Sequence, residues 1–434
     1  MGEPMSPAGA RARRRWLGRA VAALLATAVL VGGGTALTVT ALQPAPPLAG
    51  AAVGTDLGVA AAPAEIDWPG SSAAGAFRVV GVDGAEGSFG AAGPMPIASI
   101  AKLVAALVVL ERHPLGTDEQ GPTITIGQGD VDDLRAVTRE GASVLPVAVG
   151  QQLTQRQLLE ASMLRSAANA STTLTTWAFG TTREYLGEAR RWLEAHDLDG
   201  IRIVDATGLS VDNSAVAVDV ARLMALVDGA PTLRAISGQR AAWLPGLGPV
   251  TSTNGALGAA GIDSGKTGSL NRSGRTVVVG ASVEVGDRTF RIHAALLGIG
   301  RSADRDAAIV QLVESVARNL AEREVVGAGD VIATYDALWG ERIELRSRTA
   351  LRVIVWREHG ATADLEIPDQ LAVGARASVA LTVTSSVEQE LAWLDTVGAP
   401  RPPTLGWRLE HMREVLGWRF EEDRAGSRIG TSVS

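Results

Sequence analysis

Ser99 and Lys102 lie three residues apart in Pro96-Ile97-Ala98-Ser99-Ile100-Ala101-Lys102, a pairing suited to covalent chemistry. The stretch reads as a helix running to Glu111-Arg112, with Pro and a small polar residue at its start and charges at its end. A spacing of three puts both side chains on one face of the first turn. A serine hydroxyl is a weak nucleophile until a base takes its proton. A lysine amine is such a base when burial depresses its pKa, because desolvation disfavours the ammonium form. The helix N-terminus adds positive potential, which favours both a neutral amine and a developing oxyanion. Taken alone, S-x-x-K reads as a serine cap beside a lysine snorkelling to the surface. Here no polar side chain occurs from Leu103 to Leu110, so the helix is apolar on every face and belongs inside a large domain.

The elements that must position this pair follow from pattern. Phe77-Arg78-Val79-Val80-Gly81-Val82 alternates as a strand, Asp83-Gly84 is a hairpin turn, and a second strand ends near Phe89. Residues 114–150 show turn signals and a short Thr-Ile-Thr-Ile strand without long apolar periodicity, and read as an irregular lobe over the helix. Leu153 to Leu164 has helical periodicity and leads into Arg165-Ser166-Ala167-Ala168-Asn169. Further helices are predicted over Thr182–His196 and Val216–Val227, with a turn at Asp205-Ala206-Thr207-Gly208-Leu209 between them. Ile262 to Ser269 opens a β region, Arg275–Val283 and Thr289–Leu297 form a hairpin across Gly286-Asp287, and Arg305–Arg323 is a long amphipathic helix. The order implies an α+β fold, an antiparallel sheet covered by helices. From Val326 to about Val397 short alternating strands at 331–336, 342–347, 350–357, 361–367 and 376–384 suggest a small all-β domain.

Composition narrows the function. The chain has 434 residues and a net charge of −7, with no basic block outside its N-terminus, so nothing points to nucleic acid. It has no cysteine, and its five histidines (His113, His196, His293, His359, His411) lack ligand spacing, so neither a metal nor another cofactor is expected. Arg11, Arg13, Arg14, Arg15 and Arg19 precede an uncharged run from Ala20 to Leu42, long enough to span a bilayer with the body outside. Gly32-Gly33-Gly34 interrupts the run and Val39-Thr40-Ala41 resembles a cleavage site, so a retained anchor, which is favoured, and a cleaved signal both fit an exported protein. The expected division is 1–42 as basic start and membrane segment, 43–64 as a Pro/Ala/Gly tether, and 65–325 as the main domain. The β domain follows at 326–398. Residues 399–434 comprise a Pro-rich link, a short helix carrying Leu405, Leu409, Met412 and Leu416 beside Trp407 and Trp418, and a disordered end from Glu421 to Ser434. That helix reads as a strap on the β domain, or alternatively as an interfacial helix on the membrane.

Ser99-x-x-Lys102, then Ser166 after a helix, then Lys266-Thr267-Gly268 resembles the order found in penicillin-recognising serine enzymes. More narrowly, the chain from about Phe77 to about Val325 resembles the D-alanyl-D-alanine carboxypeptidase family of low-molecular-weight penicillin-binding proteins. The resemblance implies a β-lactamase/penicillin-binding-protein-like fold, an activity on peptidoglycan stem peptides ending in D-Ala-D-Ala, and covalent inhibition by β-lactams. It implies Ser99 as acylated nucleophile, Lys102 as general base and Ser166 as proton relay between two helices. Lys266 and Thr267 would bind the substrate carboxylate, and Gly268 would leave room for substrate along the strand edge. The backbone N–H groups of Ser99 and Ser269 would form the oxyanion hole. Taken singly, Ser166 reads as a cap and Lys266-Thr267-Gly268 as a turn.

One position departs from the family pattern. The second motif there is Ser-x-Asn, whereas this chain has Ser166-Ala167-Ala168 and places its amide at Asn169, about 100° further round a helix. Asn169 is carried as a substrate-binding candidate, through a local shift or as the second polar residue that family members often have there. The resulting expectation is an exported serine-type D-Ala-D-Ala carboxypeptidase, with activity reduced by Ala168. The alternatives are a non-enzymatic cell-wall scaffold on the same fold and a serine β-lactamase. Against the scaffold stands the presence together of Ser99, Lys102, Ser166 and Lys266.

Overall fold

The computed structural model describes residues 7–53, 57–270 and 273–417. Its centre is an antiparallel sheet of β1 (Ala74–Val79), β2 (Glu86–Gly90), β3 (Ile262–Leu270), β4 (Gly274–Val285) and β5 (Arg288–Ile299), ordered β3-β4-β5-β1-β2. The two-residue period of these strands sorts their side chains between two cores. Val278, Ala295, Leu297, Ala74 and Ala76 join the core under α1 (Ala101–Arg112), α2 (Gln155–Leu164), α3 (Ala168–Phe179) and α4 (Ala217–Asp228). Val277, Val279, Ile292, Ala294, Leu296 and Phe77 join the opposite core under α5 (Arg305–Ala317). Helix α1, apolar on every face, is buried from Ala101 through Val109, which includes Lys102. The fold is thus a mixed helix/sheet body followed by an all-β region.

Beyond residue 326 the strands predicted from alternation are present at Val331–Asp336, Arg342–Ser347, Leu351–Trp356, Ala361–Leu365 and Ser378–Ser385, and Gln389–Thr396 adds another. This region shares a core with the body: Trp356 is buried against Phe77, with ring centroids 6.1 Å apart.

Three segments differ from expectation. Residues 43–64 do not form a free tether. Leu48–Ala52 is a strand between Val331–Asp336 and Gln370–Leu371, and Val59 bridges Ala361. Small residues gave this segment little to bury, but strand pairing needs only backbone groups, one anchor (Leu48, fully buried) and close approach at Gly50. The lobe at 114–150 contains a helix, Gln128–Arg139, whose apolar stripe is only Val131, Leu134 and Val137. The helix expected to reach Arg323 stops at Ala317. Asn319 there donates to the carbonyls of Ser315 and Glu65, and the chain continues as strand Leu320–Val326 paired with Leu351–Trp356. Pairing buries Leu320 and Val326, which a longer helix would have left beside charged neighbours.

The N-terminal helix Pro7–Leu42 contains a stretch, Arg14–Leu42, long and apolar enough to cross a membrane. Helices Leu405–Glu410 and Met412–Gly417 pack against its C-terminal end, where Arg408 donates to the Gln43 carbonyl and Thr40 is fully buried. Trp407 meets Trp339 of the β region edge-on at 5.7 Å, so the segment touches both the β region and the N-terminal helix. Trp418 and the end expected to be disordered, Glu421–Ser434, lie outside the described residues.

The strand at Leu48–Ala52 has a direct check. A Cβ at Gly50 would lie 2.8 Å from the Pro368 carbonyl oxygen and 2.8 Å from the Tyr335 ring. Gly50→Val is expected to release the strand at a cost of about 1–3 kcal/mol, read as new protease cleavage before residue 57 and a lower melting temperature. An unchanged digestion pattern would mean the strand is not seated there.

Candidate active site

Ser99 lies in a 3₁₀ turn, Ala98–Ile100, that feeds directly into α1. This turn is strained: Ala98 has φ +50°, a left-handed conformation that costs a non-glycine residue of order 1–3 kcal/mol. Two glycines explain how it is held. A Cβ at Gly208 would lie 2.0 Å from the Ala98 carbonyl oxygen, and one at Gly268 would lie 2.8 Å from Ala98 Cβ and 2.5 Å from Thr276 Oγ1. The turn is therefore clamped between a loop and strand β3 at distances that only glycine permits. Gly268 thus makes room inward, for the turn that carries Ser99. Thr276 Oγ1 donates to the Ile97 carbonyl at 3.1 Å, and Ile97 N–H donates to Asn213 at 2.9 Å.

Lys102 Nζ is 2.9 Å from Ser99 Oγ and also donates to the Thr207 carbonyl. Its side chain does not snorkel: the residue is 1% exposed. Burial brings the amine down to about 7, and the charge of Asp205 limits the fall. Near neutrality a large fraction is therefore the free base, which can accept the Ser99 proton while donating to Thr207.

Ser166 occupies the joint between α2 and α3 with φ +60°. It caps neither helix, because the N-cap of α3 is Ala167. Its Oγ instead accepts from Lys266 Nζ at 3.0 Å. Lys266, Thr267 and Gly268 are not a turn but part of β3, paired with Val278, Val277 and Thr276 of β4. The Lys266 amine is held well below its ordinary range by burial, then by the charges of Lys102 and Arg305. Thr267 Oγ1 is 2.8 Å from Thr253 Oγ1, and Arg305 donates to the Thr253 carbonyl at 2.7 Å. Ser269 is exposed on the same strand, while Ser99 and Ser166 are half-buried. The base of β3 is fixed by Arg291, which bonds both Asp263 at 2.6 Å and Asp228 at the end of α4.

Asn169 takes no part in this group. Its Oδ1 accepts from Leu145 N–H at 2.9 Å and its Nδ2 donates to the Leu145 carbonyl at 2.8 Å, with the residue 1% exposed. The rotation of about 100° per helical residue carries it away from Lys102 and onto the 140–150 segment. The side chain that faces its neighbours at Ala168 has no polar atom to offer.

Sequence reading missed Thr253, Arg305 and the Asp205–Asn213 loop. Thr253 and Arg305 stand far from the motifs in sequence and carry no spacing signal. Asp205-Ala206-Thr207-Gly208 was legible only as a turn, whereas the Thr207 carbonyl is a partner of Lys102. Two cavities elsewhere in the body, beside Glu111 and Trp192 and beside Asp228 and His293, include none of the clustered side chains.

Residues 90–294 match the sequence model of the D-alanyl-D-alanine carboxypeptidase family. A D-alanyl-D-alanine endopeptidase of Pseudomonas aeruginosa is 31% identical over 130 residues, which span 30% of this chain and 39% of that protein. Among solved structures, a peptidoglycan synthesis regulatory factor (penicillin-binding protein 3) of Streptococcus pneumoniae aligns with a TM-score of 0.53 at 21% identity, over 77% of this chain and 99% of that one. Penicillin-binding protein 5 of Haemophilus influenzae aligns with a TM-score of 0.54 at 15% identity, over 78% and 99%. These two likenesses extend past the matched segment and establish the fold of the body with its all-β region. The Ser99–Lys102 and Ser166–Lys266 pairs are thus assembled, on that fold, inside the segment 90–294 that matches the D-alanyl-D-alanine carboxypeptidase family.

Proposed function

We propose that this protein is a serine acyl-transfer enzyme that removes the terminal D-alanine from peptidoglycan stem peptides. The observation that carries the proposal is Lys102 Nζ, fully buried, 2.9 Å from Ser99 Oγ. Ser99 Oγ attacks the carbonyl carbon of the penultimate D-Ala as its proton passes to the neutral Lys102 amine. The negative oxygen that forms is met by the backbone N–H groups of Ser99 and Ser269. The C–N bond then breaks, and the leaving D-Ala nitrogen takes a proton through Ser166 from the Lys102/Lys266 side. Water adds to the Ser99 ester, giving its proton to Lys102, and Ser99 Oγ recovers a proton as the shortened peptide leaves.

Lys266, Thr267, Thr253 and Arg305 receive the terminal carboxylate. The Lys266 amine has no acidic neighbour among the causes acting on it, so a carboxylate beside it favours its charged form. A β-lactam, with a carboxylate and a strained acyl group, acylates Ser99 by the same route. Asp205, engaged by its own loop, is not free to activate a deacylating water, and this favours a carboxypeptidase over a β-lactamase.

A second reading rests on Ala168: without the amide of the family's second motif, the site binds stem peptides but turns over slowly or not at all, and the protein serves as a cell-wall scaffold. The N-terminal helix is read as a retained anchor that holds the body outside the membrane. Its seat against residues 405–417 and the strand at Leu48–Ala52 leave only residues 43–47 between membrane and fold.

Intact-protein mass spectrometry with a penicillin is expected to show a stable adduct on the wild type and none on Ser99→Ala, followed by D-Ala release from a pentapeptide. No adduct at saturating drug would turn the assignment to the scaffold. Lys102→Ala is expected to slow acylation by roughly 10²–10⁴-fold. Because only the free amine acts as base, the wild-type rate is expected to rise with pH through about 7 and then level off; a flat profile would remove Lys102 from the role.

Asn169→Ala leaves the Leu145 backbone unpartnered and is expected to cost about 2 kcal/mol of stability while acylation of Ser99 persists. Loss of acylation at unchanged melting temperature would instead place Asn169 at the substrate. Edman sequencing of membrane-extracted protein should read through the N-terminal segment; a mature N-terminus just after Ala41 would contradict the anchor.

A further inference from the structure

We propose that Asp205 is a positioning residue for the acyl transfer. Its carboxylate orders the loop from Val204 to Asn213 so that the Thr207 carbonyl meets Lys102 and Gly208 braces the Ser99 turn. This rests on the assignment of Ser99 and Lys102 as nucleophile and base.

The carboxylate accepts five hydrogen bonds from its own loop. Oδ1 takes Thr207 N–H at 2.7 Å, Thr207 Oγ1 at 2.7 Å and Gly208 N–H at 2.6 Å. Oδ2 takes Ser210 N–H at 3.0 Å and Asn213 Nδ2 at 2.7 Å. Asn213, fully buried, locks the far side: its Oδ1 accepts from Val204 N–H at 2.9 Å and its carbonyl accepts from Ile97 N–H at 2.9 Å, next to the nucleophile turn. From α3, Ser171 Oγ donates to the Ala206 carbonyl at 2.7 Å. Asp205 Oδ1 and Ser171 hold residues 206–208 directly, Asp205 Oδ2 and Asn213 hold the two ends of the loop, and residues 207 and 208 touch Lys102 and the Ser99 turn.

A lysine that works as a base must aim its lone pair at the serine, which requires its N–H bonds to be satisfied elsewhere. Ala168 offers nothing, so the Thr207 carbonyl is the partner that fixes the amine's rotation. The charged groups acting around Lys102 are Asp205 from the loop and Lys266 from β3, with Arg305 behind Lys266. Asp205 is the negative one. Burial pushes its own carboxyl up, but bonds from Thr207, Ser210 and Asn213 outweigh that and hold it below the usual range, so it is ionised wherever Lys102 titrates. Its charge raises the Lys102 amine and so keeps a strong enough base in a buried place. The charge of Asp205 also acts on the buried Tyr185, whose phenol is kept neutral by burial and then by that carboxylate.

The test is the rate of Ser99 acylation by a fluorescent penicillin against pH, on the full-length chain in detergent. Asp205→Asn keeps an acceptor for Thr207 and Gly208, removes the charge, and sets an amide against Ser210 N–H and Asn213. It is expected to lower the plateau rate on the order of 10- to 100-fold and to move the acid limb to lower pH by on the order of one unit. Asn213→Ala loosens the same loop with the charge in place, and should lower the plateau with the acid limb where it was. A wild-type rate in Asp205→Asn, or a lost rate with an unmoved acid limb, would overturn the proposal. Should Asp205→Asn not fold, Asp205→Glu keeps the charge and misplaces the loop; a rate loss there supports the proposal and a wild-type rate overturns it. Should the wild type itself take no label, the enzyme assignment fails. Asp205 is then decided by carbon-13 NMR titration of the Lys102 amine, where a downward shift in Asp205→Asn is expected and no shift refutes the coupling.

Discussion

A lysine amine in an apolar interior is the constraint around which this protein is built. Desolvation disfavours the ammonium form strongly enough that the residue survives there only as a free base or beside compensating charge. Helix α1 supplies the desolvation, since its burial from Ala101 to Val109 carries Lys102 inside with it. Ser99 and the Thr207 carbonyl supply the two polar contacts, and Asp205 the compensating charge. The second lysine is subject to the same constraint: Lys266 is buried nearby and is depressed partly by Lys102, so the two amines are not both at ease when charged. A negative charge placed beside the pair would relieve that tension, which is the electrostatic basis of the carboxylate site proposed above.

Backbone strain is spent at the same place. Among the described residues four non-glycine positions have positive φ, and two of them are Ala98 and Ser166. One precedes Ser99 and the other is Ser166, so each sets a clustered hydroxyl at an angle that a regular helix entry would not give. The surroundings over-determine both: Gly208 and Gly268 press on Ala98, while Lys266, the end of α2 and the start of α3 frame Ser166. Such strain persists only where packing fixes it. Here the packing comes from a sheet with cores on both faces.

The β region contributes to the same rigidity. Trp356 lies in the core beneath Phe77 and α5, and strand Leu320–Val326 runs from α5 directly into a pairing with Leu351–Trp356. On the other side, Leu48–Ala52 joins the seven-stranded sheet a few residues after the apolar N-terminal helix. The path from that helix to the central sheet is therefore paired backbone and shared core for most of its length, with residues 405–417 braced across its start.

Much of the site was legible in the sequence because its motifs are local. Ser99 and Lys102 share one helical turn, Lys266 and Thr267 share one strand, and the helix that buries Lys102 announces itself by lacking any polar residue from Leu103 to Leu110. The alternating strands of the sheet and of the β region were legible for the same reason, since a period of two survives without knowledge of the partner. What tertiary structure alone decided depends on backbone groups and on direction. Whether Asn169 faced the ligand or the Leu145 backbone was set by one step of helical rotation. Whether residues 48–52 were tether or strand depended on a partner almost three hundred residues away. The carbonyl of Thr207 and the inward side of Gly268 carry no side-chain signal at all. Their importance comes from what the folded chain brings within a few ångströms, which composition and spacing do not encode.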